Sequence, residues 1–331
     1  MSTQTVCLAI LALLSRGSAL RGDLASFIRQ HGLGQHNRSL AEGQLDIGHG
    51  VTGKRDLVFM HIPYNFGHTV EKVAMMKPSS SVYDLYRYMS KGGDAFASSK
   101  QISWHDVWKF AKRDAEIWGH LNPELQTINP TTKCNNYYTP QKYWPKELLE
   151  NYFQNKTIVG LLRDPAERLV AMFRGDVAGY GGGWDHEYVQ SCDVNNGVKH
   201  ALKEHISSGN DFSQACTFLP QAAFFEGPYG IQLPVDNRKF PQSMNKVFAE
   251  HGYPDMHIAQ KDILHVTKCK NSWTADLDSE TRALIRQVYA RDYELLCKHF
   301  GYCDTSEDTC ITGVRDMCPA AVLKAIGLKR P

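Results

Sequence analysis

The sequence contains no run of about 20 consecutive apolar residues, the length that an α-helix needs to cross a bilayer. A protein with several membrane-spanning helices is therefore excluded. An excess of one charge is also missing, because 37 Lys and Arg residues against 35 Asp and Glu residues leave a net charge of +2. This balance excludes a histone-like nucleic-acid coat and an acidic tail, and we expect no nucleic-acid partner.

Several short motifs are absent as well. No two cysteines have the CxxC spacing, which argues against a zinc site. The GxxxxGK[ST] loop is missing, which argues against a P-loop nucleotide kinase, although that class stays open as an alternative. The glycines at 179–183 lack the spacing of a dinucleotide-binding fingerprint and predict a loop. No internal repeat is found at solenoid periods.

The composition that remains is that of a globular protein. The chain has 331 residues, of which 42% are hydrophobic and 22% are charged. These fractions exclude global disorder. The length is sufficient for one large α/β domain or two small ones.

The N-terminus and the cysteines indicate the secretory pathway. A short apolar run at 6–14 and small residues up to Ala19 predict a signal peptide over 1–19, although residues 1–5 lack Lys and Arg and a buried first helix is the alternative. Removing this leader takes Cys7 and leaves eight cysteines, enough for four disulfides. Glycosylation sequons begin at Asn37 and Asn155. We expect the Golgi lumen or secretion; a reduced cytoplasmic protein with buried thiols is the alternative.

The hydrophobic pattern alternates strands with helices. Strands are predicted at 56–61 and 157–162, with a short strand or strand end at 116–120. Helices are predicted at 68–76, 105–113, 145–153, 165–176, 197–208, 241–252 and 279–299, and loops at 78–104 and 121–144. This order is typical of a parallel sheet covered by helices on both faces.

Two strand–turn–helix units carry the candidate chemistry. The first, VFMHIPYNFGHTVE at 58–71, turns from a buried strand into a helix. Such a turn directs free backbone N–H groups and the positive end of the helix dipole at one point, where phosphate or sulfate binds. The second, IVGLLRDPAERLV at 158–170, places Arg163 at the end of a strand, where its planar fork suits a phosphate. For the first unit by itself the alternative is an ordinary turn, and for Arg163 by itself it is a surface salt bridge. Glu167 and Arg168 are expected to form structural ion pairs.

Together these motifs resemble those of sulfotransferases that use 3′-phosphoadenosine 5′-phosphosulfate (PAPS). HIPYNFGHTVE, followed about a hundred residues later by LLRDPAERLVAMF, is similar to the pair of cofactor motifs of the Golgi carbohydrate sulfotransferases. The helix at 285–295 and the FGY at 300–302 resemble the closing segment of that family. The resemblance covers residues 56–302 and implies a three-layer α/β, P-loop-like fold with a central parallel sheet of four or five strands.

The resemblance also implies a site. The 5′-phosphosulfate of PAPS would lie on the turn, and Arg163 would contact the 3′-phosphate. His120, in the sequence IWGH, occupies the place of the family's general base; an ordinary structural histidine is the alternative. No metal is expected, because N–H groups and arginine suffice for the phosphates. The residues implied to bind the cofactor are Tyr64, Asn65, Phe66, Gly67, His68, Thr69, Val70, Arg163 and Ala171.

Two positions depart from the family's motifs. Tyr64 stands where the family has the lysine that neutralises the leaving oxygen, and Ala171 where it has a serine that binds the 3′-phosphate. His68 or Lys72 is a candidate source of the missing positive charge, so His68 joins His120 as a catalytic candidate. The expectation is a PAPS-dependent enzyme acting on a hydroxyl or amine of a glycan or small metabolite; the alternative is a catalytically impaired relative that acts as a binding module.

The expected organisation has four parts. A signal peptide at 1–19 is followed by a lead-in at 20–55, a sulfotransferase-like domain at 56–302 and a Cys-rich tail at 303–331. Disulfides are expected to tie down the tail. The loop regions at 78–104, 121–144 and 176–240 are expected to shape the acceptor pocket.

Overall fold

The computed structural model of the protein describes residues 55–75, 116–177, 184–264 and 268–327. The chain divides into two compact units, residues 1–50 with 74–117 and residues 51–73 with 118–331. The fold and site below belong to the second unit. The predicted signal peptide, the lead-in up to residue 54, the sequon at Asn37, the loop at 78–104, the helix at 105–113 and the glycines at 179–183 lie outside the described residues.

A parallel sheet runs through the second unit, which confirms the α/β class. Its strands are adjacent in the order β1 (Leu57–Phe59), β2 (Thr157–Leu162) and β3 (Leu233–Asp236). Leu57 pairs with Thr157, and Leu162 pairs with Asp236. The described residues contain three strands rather than four or five. The sequence does not predict β3, because this strand is short and contains Pro234, which argues against a strand interior.

The middle strand, β2, is enclosed on both sides. Its residues from Ile158 to Leu162 are all buried. Because successive side chains in a strand point to opposite faces, continuous burial means that both faces of β2 are covered. The apolar run at 157–162 therefore predicts this strand with its observed bounds.

The helices follow the predicted order closely. They are α1 (Gly67–Met75), α2 (Lys146–Phe153), α3 (Pro165–Val177), α4 (His186–Ser191), α5 (Val194–Ser208), α6 (Gln242–Glu250), α7 (Ser279–Val288), α8 (Ala290–Phe300) and α9 (Ala320–Ala325). The inner faces of α3, α5, α7 and α8 share one hydrophobic core, which also contains the end of β2 at Leu162. This core holds the carboxyl end of β2 and the start of α3 in place.

Two predicted elements differ from the observed ones. The single helix expected at 279–299 is two helices, because the chain breaks at Tyr289, whose φ of −111° and ψ of 26° are not helical. The predicted strand at 116–120 is instead extended chain that ends in a 3₁₀ turn, Gly119–Leu121. Gly119 has a φ of 51°, a left-handed conformation that turns the chain out of a strand direction.

Four disulfides use all eight cysteines that remain without Cys7. They join Cys134 to Cys216, Cys192 to Cys269, Cys297 to Cys303, and Cys310 to Cys318. Cys297–Cys303 joins the start of the expected C-terminal tail to α8, whereas Cys310–Cys318 closes a loop within the tail. This number of disulfides fits a protein that matures outside the reducing cytoplasm. Among the described residues, no helix has the length and hydrophobicity of a membrane span.

Candidate active site

The two strand–turn–helix units meet at one cleft, with an empty volume of about 840 Å³ including its open mouth. The cleft lies at the carboxyl ends of β1 and β2, the edge of a parallel sheet where ligands usually bind. Both turns and the C-terminal segment contribute to its walls. The lining residues are His61, Tyr64, Phe66, Gly67, His68, Thr69, Tyr138, Arg163, Ala171, Arg174, Gly175, Leu264 and Met317.

The first turn is strained and presents unpaired donors. Tyr64 and Phe66 adopt left-handed φ angles of 66° and 61°, which cost non-glycine residues about 1–2 kcal/mol each. Within the described ranges, the backbone N–H groups of Asn65, Phe66, Gly67 and His68 donate no hydrogen bond. Because α1 starts at Gly67, its positive dipole end adds to these donors. The turn can therefore receive an anion.

The side chains of this turn divide into two groups. Tyr64, Phe66 and His68 line the cleft. The buried Asn65 amide instead donates to the Leu161 carbonyl over 2.7 Å and to Gln221 Oε1 over 2.6 Å. The predicted contribution of Asn65 to anion binding is therefore limited to its backbone N–H. Val70 is fully buried and does not line the cleft.

Two further residues of the first motif have defined positions. Thr69 lines the cleft, and its Oγ1 accepts the backbone N–H of Leu264 over 2.9 Å, so its own hydroxyl hydrogen remains available. Lys72, the other candidate source of positive charge, is not among the described residues that line the cleft.

Arg163 extends from the second turn into the same cleft. Its side chain is buried, and its Nη1 donates to the Tyr64 carbonyl over 2.8 Å. Its Nε lies 3.4 Å from the Glu167 carboxylate, a long contact. Among the described residues, no group accepts a hydrogen bond from Nη2, so one arm of the guanidinium is available to a ligand.

A second arginine, Arg174, lines the cleft and is not predicted from the motifs. It is 3% exposed, its Nη2 donates to the carbonyls of Lys270 and Ser272, and its Nε has no partner. Burial, and secondarily the positive charge of Arg163, lower the pKa of Arg174 to about 10. Its position three residues after Ala171 on α3, hence on the same helix face, is the signal that could have identified it.

Buried polar contacts hold the two turns together. Arg168 donates to the carbonyls of Pro63, Thr217 and Leu219 over 2.6–3.1 Å. Its predicted structural role is confirmed, but its partners are carbonyls rather than a carboxylate. Gln221, which the motifs do not indicate, accepts from the Asn65 amide and from the backbone N–H of Arg163.

Asp164 caps α3 and is expected to make stability depend on pH. Its Oδ1 accepts the backbone N–H groups of Ala166 and Glu167, while burial and the Glu167 charge raise its pKa to about 7. Since an unfolded Asp titrates near pH 4, the native state retains a proton that the unfolded state loses. This contribution to the free energy of unfolding is therefore present below about pH 4 and is lost as pH rises to about 7.

In Asp164→Asn, which retains a capping oxygen, we expect the free energy of unfolding to fall less between pH 4 and 7. Urea unfolding at several pH values measures the difference, up to about 1.4 kcal/mol per pH unit. Parallel pH curves for the two proteins would contradict this assignment.

Behind the first turn, one buried carboxylate holds two histidines. Glu71 Oε1 is hydrogen-bonded to His61 Nδ1, and Glu71 Oε2 to His120 Nδ1. The ring of His68 lies 4.8 Å from the His61 ring and 4.2 Å from the His120 ring, centre to centre. We call these four residues the histidine cluster. His61 ends the first predicted strand and Glu71 lies three residues after His68 on α1, but neither is predicted as a site residue.

Glycines allow this close packing. A Cβ on Gly67 would lie 2.6 Å from the His61 ring, and a Cβ on Gly119 would overlap the Glu71 carboxylate. The left-handed turn at Gly119 is thus what places His120 against Glu71. A substitution at either glycine would separate the members of the cluster.

Charge is distributed unevenly over the cluster. The neighbouring imidazoles outweigh burial and lower the pKa of Glu71 to about 2, so Glu71 is ionised at neutral pH. Burial, with the nearby His61 and His120, lowers the pKa of His68 to about 3. His68 is therefore neutral and does not by itself replace the positive charge of the missing lysine.

His120 lies beside the cleft rather than in its wall. Its ring contacts that of His68, which does line the cleft. The His120 side chain is 30% exposed, whereas that of His61 is 2% exposed. Of the three imidazoles, only that of His120 combines a carboxylate partner with a substantial open face.

Tyr64 and Ala171 face the same space. The Tyr64 ring packs so closely on α3 that a Cβ on Gly175 would lie 2.7 Å from it. Ala171 lines the cleft one helical turn from Gly175. The two departures from the sulfotransferase motifs are therefore neighbours in the cleft, with Arg174 between them along the helix.

Family models, curated proteins and solved structures were compared with the chain, and none of them matches it. Function must therefore be inferred from the residues of the cleft.

Proposed function

We propose that the protein is a PAPS-dependent sulfotransferase with a P-loop-like, three-layer fold. The observation that carries this proposal is that one cleft contains both a turn with unpaired backbone N–H groups and two buried arginines. PAPS has anionic groups at both ends of an adenosine. A cleft with separate anion sites on two adjacent strand ends suits such a molecule.

The 5′-phosphosulfate is placed on the first turn. The four unpaired N–H groups from Asn65 to His68 and the start of α1 are the donors. Sulfuryl transfer, like phosphoryl transfer, depends mainly on positioning and on donors aimed at the charge that develops. A turn that already holds its N–H groups in place reduces the rearrangement that binding of PAPS requires.

The 3′-phosphate is placed between Arg163 and Arg174. Both guanidiniums are buried, and each keeps unused hydrogen-bonding capacity. The Glu167 carboxylate, 3.4 Å from Arg163 Nε, balances part of this positive charge. Nη2 of Arg163 and Nε of Arg174 remain open to a phosphate. Arg174 thus compensates for the serine hydroxyl that Ala171 lacks.

His120 is proposed as the general base. Glu71 orients its ring through Nδ1, which leaves Nε2 to accept a proton, the arrangement that an acid–histidine pair provides in other enzymes. In the transfer, the acceptor oxygen bonds to sulfur while the bond from sulfur to the bridging phosphate oxygen breaks. The electron pair leaves with 3′-phosphoadenosine 5′-phosphate (PAP), and His120 takes the acceptor's proton.

The acceptor class is a hydroxyl or amine of a glycan or small metabolite, and the location is the Golgi lumen or outside the cell. The four disulfides and the predicted leader support this location. The second candidate function is a binding module that keeps the fold without efficient transfer. Tyr64 and Ala171 favour it, because each replaces a group that contacts the donor.

Binding tests the proposal without knowledge of the acceptor. We expect PAP to bind the purified protein, and adenosine 5′-phosphate, which lacks the 3′-phosphate, to bind at least about tenfold more weakly, since one charge-assisted contact is lost. Isothermal titration calorimetry measures both affinities. Equal affinities, or no binding of PAP, would refute the proposal. Binding and turnover of ATP with magnesium would favour the nucleotide kinase instead.

Tyr64→Lys separates the enzyme from the binding module. An enzyme adapted to Tyr64 is expected to change its turnover less than about tenfold. Lysine would not fill the space that the Tyr64 ring occupies against Gly175, and this loss of packing offsets the charge that lysine adds. Release of PAP from PAPS, with a panel of oligosaccharide acceptors, is the measurement. A gain of about 10²–10³ from near zero would instead favour the module, because that is the usual worth of one such donor.

A further inference from the structure

The histidine cluster has a donor set that the proposed function does not explain. His61, His68, Glu71 and His120 each offer one ligand atom, and these atoms all lie within 4.8 Å of one another. A base needs one imidazole and one carboxylate. Here three imidazoles converge, although His61 and His68 have no part in the transfer step.

The spacing of the four atoms is close to that of a metal site. Zn²⁺ binds nitrogen and oxygen ligands at about 2.0–2.2 Å, so ligand atoms around a tetrahedral ion lie about 3.3–3.6 Å apart. The widest pair therefore has to approach by little more than 1 Å. His68 has no hydrogen bond to its ring among the described residues, so its side chain can turn without breaking one.

The hydrogen bonds of Glu71 also suit a metal. Glu71 is hydrogen-bonded to a ring nitrogen of both His61 and His120, so its carboxylate and the two imidazoles already meet at one point. In the metal complex, the carboxylate and the imidazoles would bind the ion in place of these two hydrogen bonds. Imidazole and carboxylate without thiolate are ligands typical of Zn²⁺ and of similar divalent transition metals.

We propose that the histidine cluster binds one divalent transition metal ion, for which Zn²⁺ is the best match. The ligands come from the end of β1, from α1 and from the turn Gly119–Leu121. Short-range sequence spacing does not reveal such a site, because Glu71 and His120 are 49 residues apart. The expectation of a protein without metal rests on the missing CxxC pattern and on phosphates held by N–H groups and arginine, and neither argument concerns a site built from histidines.

This inference does not rest on the proposed function. A single lone pair on His120 cannot both ligate a cation and accept a proton, so the two roles exclude each other. Sulfotransfer that depends on His120 is therefore measured with a chelator present, and metal binding is measured with Zn²⁺ alone. Failure of one proposal then leaves the other intact.

Zinc titration of the metal-free full chain is the test. We expect one Zn²⁺ per chain by calorimetry against a competing chelator, and a higher midpoint of thermal unfolding with Zn²⁺. In His68→Gln, affinity is expected to fall by at least about 10- to 100-fold, since even loss of an outer partner has an effect of that size. His257→Gln, an exposed histidine outside the cluster, is the control and should bind as the original protein does.

Folding of each variant is checked by circular dichroism in chelator. His120→Gln, at a partly exposed ring, is the second variant should His68→Gln be unstable. Co²⁺ in place of Zn²⁺ should give the visible absorption of a tetrahedral site, and both cluster variants should lose it. The proposal is overturned if Zn²⁺ does not bind, if both cluster variants bind it unchanged, or if His257→Gln loses it equally.

Discussion

Arg163→Ala is expected to remove most of the affinity for PAP. The side chain is buried with one arm of its guanidinium open to the cleft, so under the proposed placement of the 3′-phosphate the variant loses a desolvated, charge-assisted contact to it. Removing one partner from such a pair costs about 2–5 kcal/mol. We therefore expect the Kd for PAP to rise about 30- to 4000-fold. Calorimetric titration with PAP measures this change.

The controls for Arg163→Ala separate ligand contact from structure. Arg163 also supports the first turn through the Tyr64 carbonyl, so a general loss of folding has to be excluded. Arg282→Ala is a matched control, because Arg282, like Arg163, donates to backbone carbonyl oxygen and to a carboxylate but does not line the cleft. Arg174→Ala is also expected to raise the Kd for PAP. An unchanged Kd in Arg163→Ala would disprove the placement of the 3′-phosphate.

The second large effect is expected for His120→Gln, measured as the rate of PAP release from PAPS with acceptor and chelator present. Loss of a positioned general base typically lowers kcat by about 10²–10⁴. Because His120 lies outside the cleft wall, the affinity for PAP should change little. The variant thus separates chemistry from binding.

His257→Gln, exposed and remote from Glu71 in sequence, serves as the control and should retain full activity. His120 is not the base if His120→Gln keeps its kcat. A parallel loss of PAP binding and of kcat would assign His120 a structural role instead.

The local patterns of the chain predicted its elements well. The apolar run at 157–162 and the Arg-Asp-Pro turn identify β2 and the start of α3, because a buried strand and a proline at a helix start leave signatures within a few residues. The strand at 233–236 has no such signature, because it is short and contains Pro234. It is stabilised by pairing with β2 and not by its local sequence.

The site was predicted in part. Backbone features such as the turn at 63–66 follow from local sequence, and the motif order indicates that Arg163 belongs with this turn. Arg174, Gln221 and Glu71 could not be assigned in the same way. Their roles depend on how deeply packing buries them and on which partners it brings to them. These partners lie tens to hundreds of residues away in the sequence.

Sequence alone was thus enough for the α/β class, the cysteine set available for disulfides and the two turns that bear the candidate chemistry. These properties depend on composition, periodicity and steric preferences of neighbouring residues. Only the tertiary structure decided that Asn65 points into the core, that Arg174 faces the cleft and that His120 contacts Glu71. Such outcomes depend on the position of groups far apart in the chain, because desolvation and hydrogen bonding act through space and not along the sequence.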